Sequence, residues 1–322
     1  MPSVVITGGA GFIGSHLAER FLREKWTVHV VDNLVNGKRE NVPAGATFHE
    51  LDVRDPAAAA LIAAERPDVL AHLAAQMDVR KSVEDPGYDA SVNVLGTLNL
   101  VESVRRNSPR TRIAFASTGG ALYGDNTTPP NFEDFKKDPE SPYAITKLTA
   151  EYYLAYYGRV HGLDAVAMRF GNVYGPRQDP HGEAGVVAIF CGRILEGKPL
   201  TIFGDGRQTR DYVYVGDVAE AIWDGATKPL PPIGLLDARA FNVGTGIGTS
   251  VIDLAKILLE EAGTSVPIEF APKRPGEAQD SFVDIGKGGR LLGWTPRVSL
   301  REGLAKSFRW AADRQAAGGA AR

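Results

Sequence analysis

Short apolar runs rich in β-branched residues alternate with amphipathic stretches along the first half of the chain. The first run, Ser3–Thr7, is followed by a glycine-rich segment and then by Leu17, Phe21 and Leu22 on one helical face. Further runs lie at Thr27–Val31, Thr47–Leu51, Val69–Leu73, Arg112–Ala116 and Ala165–Phe170, and helix-like stretches lie at Ala57–Glu65, Ser91–Arg106 and Tyr143–His161. This alternation predicts an α/β fold with a Rossmann-like, doubly wound parallel sheet.

The sequence changes in character after Asn172, where glycine, proline and charged residues become more frequent. We expect residues 1–172 to form a dinucleotide-binding domain, to which a segment near 211–240 returns. Residues 173–210 and 241–313 are expected to form a smaller mixed α/β domain for the substrate, with a helix over Val251–Glu261. Residues 314–322 have the composition of a flexible tail.

The segment from Gly8 to Gly14 has the pattern of a dinucleotide-binding turn. Gly8, Gly11 and Gly14 are spaced by three between a strand and a helix, where the turn needs positive φ and a pyrophosphate needs close backbone approach. The helix N-terminus supplies amides for the phosphates. Asp32 ends the next strand, near the offset at which an acid binds the adenosine ribose hydroxyls. A carboxylate repels a 2′-phosphate, so the sequence predicts NAD rather than NADP, although Lys38 and Arg39 follow.

Polar or small residues follow the end of each predicted strand. In a doubly wound sheet the ligand lies beyond the carboxyl ends of the strands. We therefore expect Asp32, Asp52, Ala74–Gln76, Ser117–Gly120 and Asn172 to meet around one cofactor.

Tyr143 and Lys147 are one helical turn apart just inside a predicted helix start. Ser141 suits the N-cap and Pro142 the first helical position, so the positive end of the helix dipole lies near Tyr143. A nearby ammonium favours the phenolate. We expect a lowered pKa for Tyr143, which makes this residue a candidate general base.

Composition excludes several functional classes. The 322 residues are 43% hydrophobic, and a net charge of -3 argues against a nucleic-acid partner. The single Cys191 excludes an internal disulfide, and the six histidines show no metal-ligand spacing, so no metal is predicted. Met1 leads directly into a strand and no apolar run approaches the length of a membrane span, which predicts a cytoplasmic protein without a membrane partner.

Taken together, these residues resemble the extended short-chain dehydrogenase/reductase family. Nearly the whole chain, up to about Trp310, is similar to the UDP-hexose 4-epimerase branch of that family. The motifs that carry the resemblance are Thr7–Gly14, His72–Gln76, Ser117–Gly124, Tyr143–Lys147, Arg169–Arg177, Arg210–Tyr212 and Arg274–Glu277.

The resemblance implies that Tyr143 and Lys147 are the catalytic pair and that a Ser or Thr before them completes the site. The segment Ala116–Gly124 has one residue more than many relatives, so Ser117, Thr118 and Gly119 compete for this position. We choose Thr118, with Ser117 second. The expected NAD contacts are Gly8, Gly11, Phe12, Ile13, Gly14, Asp32, Asn33, Asn36, Gly37, Asp52, Val53, Leu73, Ala74, Ala75, Gln76, Asn93, Ser117, Tyr143, Lys147 and Phe170.

The resemblance also implies a UDP-sugar site. Arg210 and Arg274 are expected to bind the diphosphate, because an arginine fork suits phosphate oxygens. The other expected substrate contacts are Phe203 on uracil, Asn172 on a phosphate oxygen, Glu277 on a ribose hydroxyl, Thr118 and Tyr143 on the sugar, and Val186. Ser281 takes a place beside the sugar C2 substituent where glucose-restricted relatives often have Tyr, so we expect room for an N-acetyl group.

Relatives that eliminate water or carbon dioxide typically carry acidic residues directly after the catalytic Ser or Thr. Gly119 and Gly120 stand there in this chain, so the expected reaction is C4 epimerisation through a 4-keto intermediate. Arg80 and Arg177 keep a UDP-glucuronate 4-epimerase as an alternative. Another nucleotide-sugar enzyme of the family, a dehydrogenase that exchanges free NAD, and a non-catalytic NAD sensor are further alternatives.

The family often forms homodimers through a four-helix bundle. The corresponding helices lie here at about Ser91–Arg106 and Ala144–Gly158. The apolar residues Val92, Leu95 and Val104 belong either to that interface or to the core.

Overall fold

A parallel sheet of seven strands forms the centre of the computed structural model, which describes residues 1–180, 185–273 and 278–319. Including the strands of the smaller sheets, the strands in the described ranges are β1 (Ser3–Thr7), β2 (Thr27–Asp32), β3 (Thr47–Glu50), β4 (Val69–His72), β5 (Arg112–Thr118), β6 (Ala165–Phe170), β7 (Asn172–Tyr174), β8 (Leu200–Phe203), β9 (Thr209–Arg210), β10 (Tyr212–Tyr214), β11 (Ala240–Val243), β12 (Thr249–Ser250), β13 (Ile268–Ala271) and β14 (Asp280–Ser281). The order in the central sheet is β11-β6-β5-β4-β1-β2-β3, and every neighbouring pair is parallel. The predicted fold class is confirmed.

Helices pack on both faces of this sheet and on a second core beside it. They are α1 (Phe12–Arg23), α2 (Pro56–Glu65), α3 (Val79–Glu84), α4 (Pro86–Ala90), α5 (Gly96–Asn107), α6 (Pro142–His161), α7 (Val186–Leu195), α8 (Val215–Thr227), α9 (Val251–Ala262), α10 (Gly286–Leu292) and α11 (Leu300–Gly319). Successive side chains of β1 point to opposite faces, so Val4 and Ile6 share a core with Phe21 of α1, whereas Val5 shares the other core with Leu100 of α5. None of the helices in the described ranges is long and apolar enough to cross a membrane.

Helix α6 begins and ends where the sequence predicts. The Ser141 hydroxyl accepts a hydrogen bond from the Ala144 amide at 3.2 Å, and Pro142 occupies the first turn. Gly162 ends the helix with a left-handed φ of 69°. The N-cap places Tyr143 in the first turn of α6, and the Lys147 ammonium joins this part of the helix to β5 by donating to the carbonyl of Ala116.

The second half of the chain builds a separate apolar core beside the central sheet. Helices α7, α9 and α11 contribute Phe190, Leu254, Leu258 and Leu304 to this core, and strand β8 contributes Leu200. Strands β8 and β13 pair in parallel, and β9 lies between β12 and β14 in a three-stranded sheet. This layer brings Arg210 and Ser281 side by side.

Three segments differ from the sequence-based prediction. Strand β11 runs to Val243 in the central sheet, whereas the boundary at residue 240 assigned most of it to the second domain. Helix α11 continues to Gly319 where a flexible tail was expected, because the alanine-rich end has high helix propensity and Arg314 pairs with Glu40. The helix predicted from Ser91 starts as a π-helical turn, Ser91–Leu95, before α5. The remaining domain boundaries stay a prediction.

A buried ion network joins α6 to β6. The guanidinium of Arg169, which is fully buried, donates to Glu151 at 2.6 Å and to Asp237 at 2.7 Å. The same guanidinium donates to the carbonyl of Glu133 at 2.8 Å and to the Tyr123 hydroxyl at 3.2 Å. Because a buried charge is tolerated only when it is paired, Arg169 holds four segments in fixed positions.

We expect Arg169→Met to lower the free energy of unfolding by about 3–5 kcal/mol, because the buried carboxylate of Glu151 would lose its cation. Urea unfolding followed by circular dichroism measures the loss. The matched control is Arg301→Met, whose pair with Glu260 is exposed and should change the stability little. The double variant Arg169→Met, Glu151→Leu should recover part of the loss. Equal losses for Arg169→Met and Arg301→Met would contradict this role.

Candidate active site

The candidate site is built at the carboxyl edge of the central sheet. Parallel pairing places Thr7 beside Val31 and His72, and places Ser117 beside Arg169. The segments that follow these strand ends therefore meet at one edge, as the sequence predicts. Among the described residues, no group of three His, Cys, Asp or Glu side chains is arranged to hold a metal ion.

The glycine-rich turn between β1 and α1 leaves no room for a side chain at Gly8 or Gly14. Gly8 has a φ of 71°, and a Cβ there would lie 2.7 Å from the Ala74 amide nitrogen. A Cβ at Gly14 would lie 2.2 Å from the carbonyl oxygen of Gly8. At Gly11 a Cβ would meet only that same oxygen, and no side chain caps α1 there. The turn thus exposes backbone and free amides at a helix N-terminus, which fits a dinucleotide pyrophosphate.

Asp32 lies beside this turn at the end of β2. Its carboxylate accepts hydrogen bonds from the amides of Ala10 at 3.1 Å and Leu34 at 2.9 Å, and a Cβ at Gly37 would lie 2.5 Å from its Oδ1 atom. Burial raises the pKa of Asp32. Its fixed position fits the two hydroxyls of a ribose.

The two cations that follow Asp32 are engaged elsewhere. Lys38 pairs with Asp179 at 3.2 Å, and the Arg39 guanidinium lies 4.4 Å from the ring centroid of Phe48. Because neither cation pairs with Asp32, its carboxylate keeps the negative charge that repels a 2′-phosphate. This supports NAD over NADP.

Asp52, one of the expected NAD contacts, follows β3 and is held by two neighbouring side chains. Its carboxylate accepts a hydrogen bond from the side-chain amide of Asn33 at 2.9 Å and two hydrogen bonds from the Arg54 guanidinium, each at 2.8 Å. The Arg54 guanidinium holds the pKa of Asp52 well below its usual range. Val53 is buried, and Asn36 lies in the exposed loop after β2. Arg54 is a supporting residue that the sequence analysis did not identify.

A buried hydrogen-bond chain supports the segment after β4. The Thr97 hydroxyl donates to the carbonyl of Asn93 at 2.6 Å, so Nε2 of His72 donates to Thr97 at 2.9 Å. The Thr7 hydroxyl then donates to Nδ1 of His72 at 2.7 Å. Burial lowers the pKa of His72 to about 3, so this ring is neutral. Its two hydrogen bonds connect β4 to β1 and to α5.

Lys147 and Tyr143 lie near the carboxyl end of β5. The Lys147 ammonium donates to the carbonyl of Ala116 at 2.9 Å and lies 6.0 Å from the ring centroid of Tyr143. Burial lowers the pKa of Lys147 to about 8. The expectation of a lowered pKa for Tyr143 is wrong for the protein alone, because burial raises it and the negative charge of Asp89 raises it further.

The structure separates the two candidate hydroxyls at the end of β5. The Ser117 hydroxyl is buried and donates to Glu151 at 2.5 Å, so its proton is committed to the ion network of Arg169. Adjacent residues of a strand point to opposite faces, so Thr118 faces away from Glu151. The Thr118 side chain has no hydrogen-bond partner within the described residues, which leaves it free for a substrate.

On the substrate side, the structure brings some expected residues together. Arg210 of β9 lies beside Ser281 of β14 in the strand pairing, and the backbone amide of Asn172 donates to the carbonyl of Asp211 at 2.7 Å. Phe203 ends β8, and Val186 begins α7. Val186 packs against the second apolar core. Arg274 and Glu277 lie outside the described residues.

Two buried acids near Tyr143 and Lys147 were missed by the sequence analysis. Glu151 follows Lys147 by one helical turn, so a third polar residue on the same face of α6 is a signal that could have found it. Asp89 lies on α4, where one acidic residue in a polar stretch gives no such signal.

The comparisons with known proteins agree with this geometry. The model of the NAD dependent epimerase/dehydratase family matches residues 4–244. The UDP-glucose 4-epimerase of Mycolicibacterium smegmatis is 42% identical over 308 residues, which are 94% of this chain and 96% of that protein.

Two solved structures are similar over nearly their whole length. The UDP-glucose 4-epimerase of Thermotoga maritima with UDP-glucose has a TM-score of 0.92 and 42% identity, covering 97% of this chain and 99% of that one. The UDP-glucose 4-epimerase of Thermus thermophilus in complex with NAD has a TM-score of 0.88 and 43% identity, covering 96% and 99%. With the family model matching most of the chain, the protein belongs to the NAD dependent epimerase/dehydratase family.

Proposed function

We propose that the protein is an isomerase that catalyses reversible C4 epimerisation of a UDP-hexose with NAD as a tightly bound cofactor. The observation that carries this proposal is that Tyr143, Lys147 and Thr118 lie at the end of β5, on the same carboxyl edge of the sheet as the glycine-rich turn after β1. Relatives that share more than 40% of their residues with this chain carry the same activity in their names, which supports the assignment.

Each residue has a defined task in this reaction. Tyr143 removes the proton of the sugar 4-hydroxyl, and the Thr118 hydroxyl donates a hydrogen bond to the same oxygen. NAD, when bound, supplies the hydride acceptor and a positive charge. Lys147 binds the nicotinamide ribose and adds a second positive charge beside the phenol, which favours its deprotonated form. Arg210 and Asn172 anchor the diphosphate while the oxidised sugar turns over.

The main chain after Thr118 supports epimerisation over elimination. A Cβ at Gly119 would lie 3.0 Å from the carbonyl oxygen of Arg169 and 3.0 Å from the side chain of Val283. An acidic side chain at this position would therefore have to displace the backbone of β6. Without a second proton-transfer group there, return of the hydride is the easiest exit for the 4-keto sugar.

The alternative of a UDP-glucuronate 4-epimerase loses one of its two supports. The Arg177 guanidinium donates to Glu19 at 2.8 Å and to Nδ1 of His16 at 3.0 Å, so this cation is bound to helix α1. Arg80 lies on α3. We therefore favour an uncharged hexose.

We also propose that the protein forms a homodimer through helix α6. The exposed apolar residues Ile145, Tyr152, Tyr156 and Val160 recur at helical spacing along one face of α6. Leu95 is 61% exposed beside them, whereas Val92 and Val104 are buried in the protomer's own core. Tyrosine-rich exposed faces of this kind are typical of interfaces. A cytoplasmic location stays a prediction.

The reaction is tested by proton NMR of the purified protein with UDP-glucose, without added NAD. We expect the anomeric signal of the 4-epimer to appear. Tyr143→Phe should lower kcat by about 10²–10⁴-fold, because it removes the general base but keeps the ring. The control Tyr153→Phe changes an exposed ring on the same helix and should have normal turnover. NAD released from denatured Tyr143→Phe protein should equal that of the wild type. Normal epimerisation by Tyr143→Phe would refute the assignment.

The choice between the two hydroxyls can be tested separately. We expect Thr118→Val to lower kcat by about 10²-fold, because a hydrogen bond to the reacting oxygen is lost. Ser117→Ala should lower kcat less and should instead lower the stability, since Glu151 loses a buried donor. Steady-state kinetics and urea unfolding of both variants give the comparison. The opposite ranking would assign the catalytic hydroxyl to Ser117.

The sugar specificity is tested at Ser281, where we propose that a small side chain admits an N-acetyl group. Ser281→Tyr should lower kcat/KM for UDP-N-acetylglucosamine at least about tenfold relative to UDP-glucose, because the larger ring fills that space. Both substrates are measured on the same variant, so general damage to the buried position cancels. An unchanged ratio would show that Ser281 does not border the C2 substituent.

A further inference from the structure

Asp89 is a buried carboxylate that none of the tasks above uses. It is 0% exposed on α4, and no Lys, Arg or His lies within ion-pair distance of it in the described part of the chain. Its partners are three neutral donors: the Gln76 amide at 2.9 Å, the Asn93 amide at 3.1 Å and the Thr146 hydroxyl at 2.6 Å.

The backbone fixes the direction of two of these donors. The amide oxygen of Asn93 accepts from the backbone amide of Gln76 at 2.8 Å, so the NH₂ group of Asn93 must point toward Asp89. The amide oxygen of Gln76 accepts from the backbone amide of Asp78 at 2.7 Å, so the NH₂ group of Gln76 also points toward Asp89. Both NH₂ groups donate to Oδ1 of Asp89, so this oxygen is an acceptor, whereas Oδ2 accepts from the hydroxyl of Thr146.

Asp89 lies against the centre of the catalytic turn. Thr146, its third partner, stands between Tyr143 and Lys147 on α6, and its hydroxyl is also 3.0 Å from the carbonyl oxygen of Tyr143. Gln76 and Asn93 are themselves expected cofactor contacts. One carboxylate therefore ties the segment after β4, the π-helical turn and the first turn of α6 together.

We propose that Asp89 is a positioning residue whose buried negative charge keeps the ammonium of Lys147 in its charged form. The proposal rests on the proposed function only for the task of Lys147. The arrangement of charges that it describes belongs to the protein itself.

The other charged groups around Lys147 and Tyr143 do not supply this negative charge. Glu151, on α6 itself, is neutralised by the guanidinium of Arg169 from β6. His72 of β4 is neutral, and Arg80, Lys81 and Glu84 of α3 are exposed. Strand β5 and the π-helical turn present no ionisable group to the pair. Burial lowers the pKa of Lys147, and the charge of Asp89 is the largest influence that raises it again.

Removing the charge should shift the pH dependence in one direction. In Asp89→Asn the pKa of Lys147 falls, so the ammonium is lost at a lower pH and the alkaline limit of kcat/KM moves down. The same change removes the charge that raises the pKa of Tyr143, so an acidic limit set by this phenol also moves down. We expect both limits to move by about one pH unit.

Asparagine can take this place without rearrangement. Its oxygen accepts from Gln76 and Asn93, and its NH₂ group faces Thr146, whose hydroxyl can turn its proton to the carbonyl of Tyr143. Thr146→Val is the matched control, because it removes a hydrogen bond to Asp89 but keeps the charge. Its pH limits should be those of the wild type. Should Asp89→Asn fail to fold, Asp89→Ser is a second variant without the charge and should give the same shift.

The charge of Lys147 is also measured without turnover. Protein carrying lysine labelled with ¹³C at Cε is titrated by NMR, and the Lys147 signal is identified by its loss in Lys147→Met. A lower titration midpoint in Asp89→Asn supports the proposal, and an unchanged midpoint in the folded variant overturns it. If the wild type does not epimerise UDP-hexoses, the proposed function fails, whereas this titration still decides the role of Asp89.

Discussion

The parallel register of the central sheet is the constraint on which the candidate site depends. Because β1, β2, β4, β5 and β6 all run in the same direction, their carboxyl ends lie along one edge. Residues separated by more than a hundred positions, such as Gly14 and Lys147, are thereby assembled along one edge of the sheet. A shift of one residue between two strands would reverse the faces of their side chains. Thr118 would then exchange its place with Ser117.

Buried polar groups then set the geometry more finely than apolar packing can. Hydrophobic contacts are tolerant of small displacements, whereas a buried ion or amide is stable only when its partners stand at hydrogen-bond distance. Arg169 joins β6 to Glu151 of α6, and His72 joins β1 to α5 through Thr7 and Thr97. Helix α6 is therefore held at two places, at Glu151 by the ion network of Arg169 and at Thr146 by Asp89.

Much of this arrangement could be predicted from the sequence, because strong local signals mark it. The alternating apolar runs predicted the strands of the sheet nearly to the residue, and Ser141 and Pro142 marked the start of α6. Strand β11 was missed because a run of four residues after an irregular loop carries little periodicity. The flexible tail predicted from residue 314 is wrong as far as Gly319, because helix propensity and the pair of Arg314 with the distant Glu40 extend α11.

The electrostatics of the site could not be predicted in the same way. The sequence places Lys147 one turn from Tyr143, and from that spacing alone a lowered phenol pKa follows. The folded chain adds burial of both groups and the charge of Asp89, which comes from a helix more than fifty residues away in sequence and opposes that effect. Local spacing tells which groups meet, but the sign of their pKa shifts depends on the whole environment.

The fixed charges around the catalytic pair explain why the base would be active only in the assembled site. Glu151 and Arg169 cancel each other, and His72 is neutral, so Lys147 and Asp89 remain and balance each other. An ionised Tyr143 would leave this buried region with a net negative charge, which a low-dielectric interior disfavours. A further positive charge must enter before the phenol gives up its proton. In the proposed reaction, NAD would supply this charge when bound, so proton removal by Tyr143 would depend on the oxidised cofactor.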